Sequence, residues 1–151
     1  MNASSFLRVA FCGLILGVAP LVAADSAPAK PTASAIVGSW SGKDEDGATG
    51  TFVFAADGSA DMIVGGQSLK ETVIKDQGTI TYRFDPAVKP MALDITMART
   101  GGATRTLRCI VEFLSPVKIK MRKPNGEERP KDFAGPATEM IVLDKAETPK
   151  K

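Results

Sequence analysis

The sequence predicts an all-β fold, a small antiparallel up-and-down barrel of about eight strands, with a two-sheet β-sandwich as the alternative. Three observations carry this expectation. Apolar and polar residues alternate with a period of two through most of the span 36–145, as on half-buried strands. The breaks are short and built from turn residues: Asp57-Gly58, Gly65-Gly66, Asp76-Gln77-Gly78, Gly101-Gly102 and Ser115-Pro116. No stretch shows the spacing of an amphipathic helix. Consecutive hairpins leave two exposed sheet edges, and closing the sheet on itself removes them, which favours the barrel.

The chain opens on a leader. Arg8 is the only charge before Asp25, and Val9 to Ala24 is an uncharged, mostly apolar run ending in the small residues Val22-Ala23-Ala24. This pattern predicts a cleaved signal peptide over 1–24 and a secreted or periplasmic protein. The run is shorter than the roughly 20 residues of a membrane span and holds Pro20 near its end, so no span is expected after cleavage. Cys12 follows Phe11, too early for a lipoprotein site. Residues 25–35 are small, polar or proline and read as a flexible linker; 146–151 read as a disordered tail.

Between them the strands follow in order. Ile36 to Ser41 form the first. Phe52 and Phe54 share a face, and Asp57-Gly58 turns into Ala60, Met62 and Val64. Gly65-Gly66 leads to a strand through Leu69, Glu71 and Val73, and Asp76-Gln77-Gly78 turns into Ile80, Tyr82 and Phe84. Met91, Leu93, Ile95 and Met97 then alternate with Ala92, Asp94, Thr96 and Ala98, the clearest pattern in the chain. Leu107, Cys109, Val111 and Phe113 form the next inward face. Val117, Ile119 and Met121 oppose Lys118, Lys120 and Arg122, and Met140 to Leu143 end the series.

Composition excludes several chemistries. The chain has no histidine, so Ser-His-Asp and Cys-His catalysis and imidazole metal ligation are ruled out. A formal net charge of +2 provides no strong field for nucleic acid. Loss of the leader removes Cys12, which leaves Cys109 as one thiol without a disulfide partner; its place on an apolar face makes it a small buried hydrophobe. Asp44-Glu45-Asp46-Gly47 lacks the alternating spacing of a calcium loop and reads as a solvated turn. Asp57 and Asp61 flank a hairpin and read as turn residues. Lys118, Lys120 and Arg122, with Arg105 on a neighbour, read as a plain outer face, the sharper alternative being a ridge for phosphate or acidic glycans. No enzyme, metal or cofactor is expected.

Three segments carry a family resemblance: Gly38-Ser39-Trp40; Lys89-Pro90 with Asp94 four residues on; and Gly126-Glu127-Glu128-Arg129-Pro130-Lys131-Asp132-Phe133. In this order they resemble a family of secreted planctomycete-type domains of unknown function, regarded as lipocalin-like. The resemblance spans about Ile36 to Lys145. It implies a barrel whose end is plugged by Trp40 and covered by a cation from the last strand. Two departures stand out. Cys109-Ile110-Val111-Glu112 replaces a Gly-x-Tyr-Glu element, and Lys145 stands where Arg is usual, a change that weakens the expected cation-π contact.

Two function classes stay open on the sequence. One is a barrel with a cavity for a small apolar or amphipathic ligand; Trp40, Tyr82 and Arg129 are the residues singled out for ligand contact. The other is a filled barrel acting as a structural or protein-interaction module with an envelope protein as partner. Asp94 and Arg129 have two readings of their own, an ion pair tying a loop to the barrel or an anion ligand at the barrel mouth.

Overall fold

The computed structural model describes residues 31–43, 47, 49–71 and 78–146. The predicted leader, residues 25–30 of the linker, Asp44 to Asp46, the stretch 72–77 and the tail 147–151 lie outside the described residues.

Nine strands form among the described residues: β1 (Gly38–Lys43), β2 (Thr49–Phe54), β3 (Ala60–Val64), β4 (Gln67–Ser68), β5 (Gly78–Asp85), β6 (Met91–Arg99), β7 (Arg105–Ser115), β8 (Lys118–Arg122) and β9 (Met140–Lys145). They make one antiparallel sheet in the order β4-β3-β2-β1-β9-β8-β7-β6-β5. The first and last strands pair inside the sheet, while both free edges come from the middle of the chain. The sheet curls until the β2–β3 hairpin reaches β5. Ser59 bridges Thr81, and the Tyr82 N–H donates to the Gly58 carbonyl at 2.9 Å. The architecture is an all-β half-barrel, consistent with a small up-and-down barrel.

Alternation turns into burial along β6, where Met91, Leu93 and Ile95 are buried and the residues between them are partly exposed. Each fully buried Leu or Ile of this kind stabilises the fold by about 1.5–3 kcal/mol. In β7, three consecutive residues are buried: Cys109, Ile110 and Val111. Cys109 and Val111 join the interior cluster and Ile110 does not. Ile110 lies on the outer side of β7, where a strap over residues 123–136 crosses β7 and β8: Arg129 reaches the Cys109 carbonyl and Arg122 the Asp132 carbonyl.

The strand expected through Leu69, Glu71 and Val73 is corrected for its described part. Only Gln67 and Ser68 pair, with Val64 and Ile63, and Leu69 to Glu71 bend away as a helical turn. Side-chain oxygens there outcompete the ladder. Asp61 accepts from the Ser68 hydroxyl at 2.7 Å and from the Lys70 N–H at 3.3 Å, and the Ser68 hydroxyl caps the turn by accepting from the Glu71 N–H at 3.2 Å. Asp57 does fit a turn, accepting from the N–H and hydroxyl of Ser59 at 2.9 and 2.6 Å. Those bonds hold its carboxyl below the usual carboxylate range.

Residues Ala33–Ile36 form a 3₁₀ turn rather than the start of the first strand, which begins at Gly38. This turn drives Ile36 fully into the core.

Candidate functional site

The two ends of the barrel differ. At one end the interior is filled by aromatic rings. Trp40 is fully buried and donates its indole N–H to the Ile36 carbonyl at 2.7 Å. Phe113 meets it edge-on at 6.0 Å, Phe84 contacts Phe113 at 6.1 Å, and Phe54 packs against Tyr82 at 4.9 Å. These spacings suit attraction between ring edges and faces. The Lys145 ammonium lies 5.1 Å from the Trp40 ring centre, the contact that the resemblance implied. Gly38 suits this end because its φ of +132° is one that L side chains rarely adopt; a Cβ would also come to 2.8 Å from Lys145 Cε, the flexible end of a side chain that would have to shift.

Tyr82 belongs to this closed end. Its hydroxyl donates to the Ala55 carbonyl at 2.8 Å, pinning the β2–β3 hairpin to β5 across the gap. Burial, with the Asp57 charge adding to it, raises the Tyr82 pKa above its ordinary value.

Outside the barrel, two arginines hold the strap. Arg129 donates to Asp94 Oδ1 at 2.6 Å and to the Cys109 carbonyl at 2.7 Å, so the ion pair ties loop to barrel. Arg122 donates to Glu139 Oε2 from Nε at 3.0 Å and from Nη2 at 2.7 Å, and its Nη1 reaches the Asp132 and Ala134 carbonyls. The Lys120 ammonium lies 5.0 Å from the Phe133 ring centre, and Lys118 pairs with Asp144 at 3.1 Å. Two of the three cations of β8, Lys120 and Arg122, are thus engaged with residues 132–139, while Lys118 and Arg105 are exposed.

The opposite end is open. A cavity of about 240 Å³ enters there between the start of β2, the end of β3, the first half of β7 and the start of β9. Its wall is apolar, with Phe52, Met62, Leu107, Met121 and Ile141 among the side chains. Cys109 also lines it, and burial pushes this thiol up to about 12 from an ordinary value near 9. Polar groups gather around it: Thr49, Lys123, Thr138 and Glu139. Glu139 is 8% exposed, yet its charge is met by Arg122. Lys123 forms no ion pair among the described residues. Among those residues, no three Asp, Glu or Cys side chains converge as a metal site would require.

The residues singled out from sequence therefore lie elsewhere than the cavity wall. Trp40 and Tyr82 fill the closed end, and Arg129 sits on the outer face with its guanidinium engaged. The cavity residues that sequence reasoning passed over include Lys123, although a signal for it exists. It follows Ile119 and Met121 at two-residue spacing, so it extends their inward face to the barrel mouth. Glu139 had no such signal, because it precedes β9 in a 3₁₀ turn, where strand parity does not apply.

Searches against protein-family models, curated proteins and solved structures find no match for this chain.

Proposed function

We propose that this chain is a non-enzymatic binding protein that works outside the cytoplasm, following cleavage of the leader at 1–24, and holds a small apolar or amphipathic ligand in the open end of its barrel. The observation that carries the reading is the cavity itself: about 240 Å³ with a mostly apolar wall, beside an end that aromatic rings fill. An apolar cavity of about 150 Å³ already admits a benzene ring, and drug-sized pockets run from roughly 300 Å³. The ligand is therefore short, a single ring or a short alkyl chain. Desolvation of its tail by the cavity-lining Phe52, Met62 and Leu107 supplies the binding energy. The resemblance to secreted lipocalin-like domains supports the same reading.

Calorimetric titration of octanol into the purified chain tests it. Saturable binding of one molecule per chain is expected, together with its loss in Leu107→Trp, whose larger side chain occupies the space. Absence of saturable heat in the wild-type chain would leave the filled, protein-interaction barrel as the better account.

A further inference from the structure

Resting on the reading of the open end as a ligand site, we infer that the ligand is a short-tailed amphiphile with an anionic head, and that Lys123 is the residue that recognises the head. Two charged side chains line the cavity, Lys123 and Glu139. They are not equivalent. Glu139 is buried and accepts two bonds from the Arg122 guanidinium, at 3.0 and 2.7 Å, so its charge is already balanced inside the protein. Lys123 is exposed and forms no ion pair among the described residues.

The placement of Lys123 follows from the strand that carries it. Ile119, Met121 and Lys123 share one face, and the Lys123 N–H donates to the Glu139 carbonyl at 2.8 Å, which extends the β8–β9 pairing by one step to the barrel mouth. Met121 thus contributes to the apolar wall while Lys123, two residues on, ends that wall with an ammonium. A ligand whose tail lies against Met121 and Leu107 has its head at this ammonium. Thr49 and Thr138 supply hydroxyl groups to the same cavity. An anion there gains a charge-assisted bond; a cation would meet Lys123 with like charge and find Glu139 already engaged.

Three probes that differ only in head group, octanoate, octanol and octylammonium, test this by calorimetry on the full chain. The order octanoate, octanol, octylammonium from tightest to weakest is expected. Lys123→Met should weaken octanoate about fivefold while octanol changes less than twofold, and raised salt should erase the octanoate advantage in the wild-type chain. Equal affinities for octanoate and octanol, or an unchanged octanoate affinity in Lys123→Met, would overturn the head-group assignment and leave the cavity reading standing. Tightest binding of octylammonium would overturn it in favour of Glu139. Failure of all three probes would instead overturn the cavity reading on which the assignment rests. Thermal melting of Lys123→Met checks that the variant is folded, and Lys123→Arg, which keeps the charge, should retain the preference for octanoate.

Discussion

The Lys145 ammonium lies 5.1 Å from the centre of the Trp40 ring, so the last strand covers the side chain with which the first strand plugs the barrel. β1 and β9 pair at Trp40–Lys145 and Ser41–Asp144, and the cation-π contact falls at the end of this short ladder. Lys145→Ala should cost about 0.5–1 kcal/mol, measured by urea unfolding followed through the fluorescence of the single tryptophan. Gly38→Ala should cost more, about 1–3 kcal/mol, since it forces alanine into a backbone angle that L side chains rarely adopt. A neutral Gly38→Ala would show that the glycine is not needed for closure.

Much of this end was legible in the sequence. The alternation of β6 and the Asp57-Gly58 hairpin follow from local pattern, because period-two burial and turn chemistry are set by near neighbours, whereas the place of Trp40 was an expectation from the resemblance carried by Gly38-Ser39-Trp40. The open end was not. Whether a barrel is filled or hollow depends on how side chains from seven or eight distant strands meet, and no local pattern encodes that sum. The strap shows the same limit: Ile110 looks like an outward residue on β7 yet is buried, on the side of the sheet that segment 123–136 crosses, fixed by Arg129 and Arg122. The end of β4 was lost for another reason, since Asp61 accepts from the Ser68 hydroxyl and the Lys70 N–H, seven and nine residues away, beyond the hairpin that explains Asp57.

Arg129 joins Asp94 and the Cys109 carbonyl, so removing it leaves two acceptors without their donor. Arg129→Ala should destabilise by about 1–3 kcal/mol, and Asp94→Asn by less, since the amide still accepts a hydrogen bond. Arg129→Lys should not restore the loss, because one ammonium cannot span both acceptors as the planar guanidinium does. Octanol affinity should be unchanged in all three. A variant that melts like wild type and no longer binds ligand would give Arg129 the anion-binding role instead.

Cys109 should be inert in the folded chain. With its pKa pushed up to about 12 by burial, its thiolate fraction near neutral pH is about a thousandfold below that of an ordinary thiol. In a chain carrying Cys12→Ser, thiol labelling should proceed only with unfolding; rapid labelling without denaturant would place the thiol in contact with solvent.

The same thiol makes stability depend on alkaline pH. The unfolded thiol ionises near 9 and the folded one near 12, so the contribution is complete below about pH 9 and is lost as pH rises towards 12. Across that window, wild type should lose up to about 4 kcal/mol relative to Cys109→Ala, read as the difference between their urea midpoints at each pH. Parallel curves for the two proteins would show that the thiol is not shielded as the structure has it.

Methyl NMR of the purified chain during an octanol titration tests directly the proposal that the open end of the barrel takes the ligand. Saturable shifts are predicted for Met62, Leu107, Met121 and Ile141 at the open end, with Ile119 and Leu143 unmoved in the filled core. Shifts confined to the exposed Leu114 and Val117, or no saturable shift at any of these methyls, would contradict it.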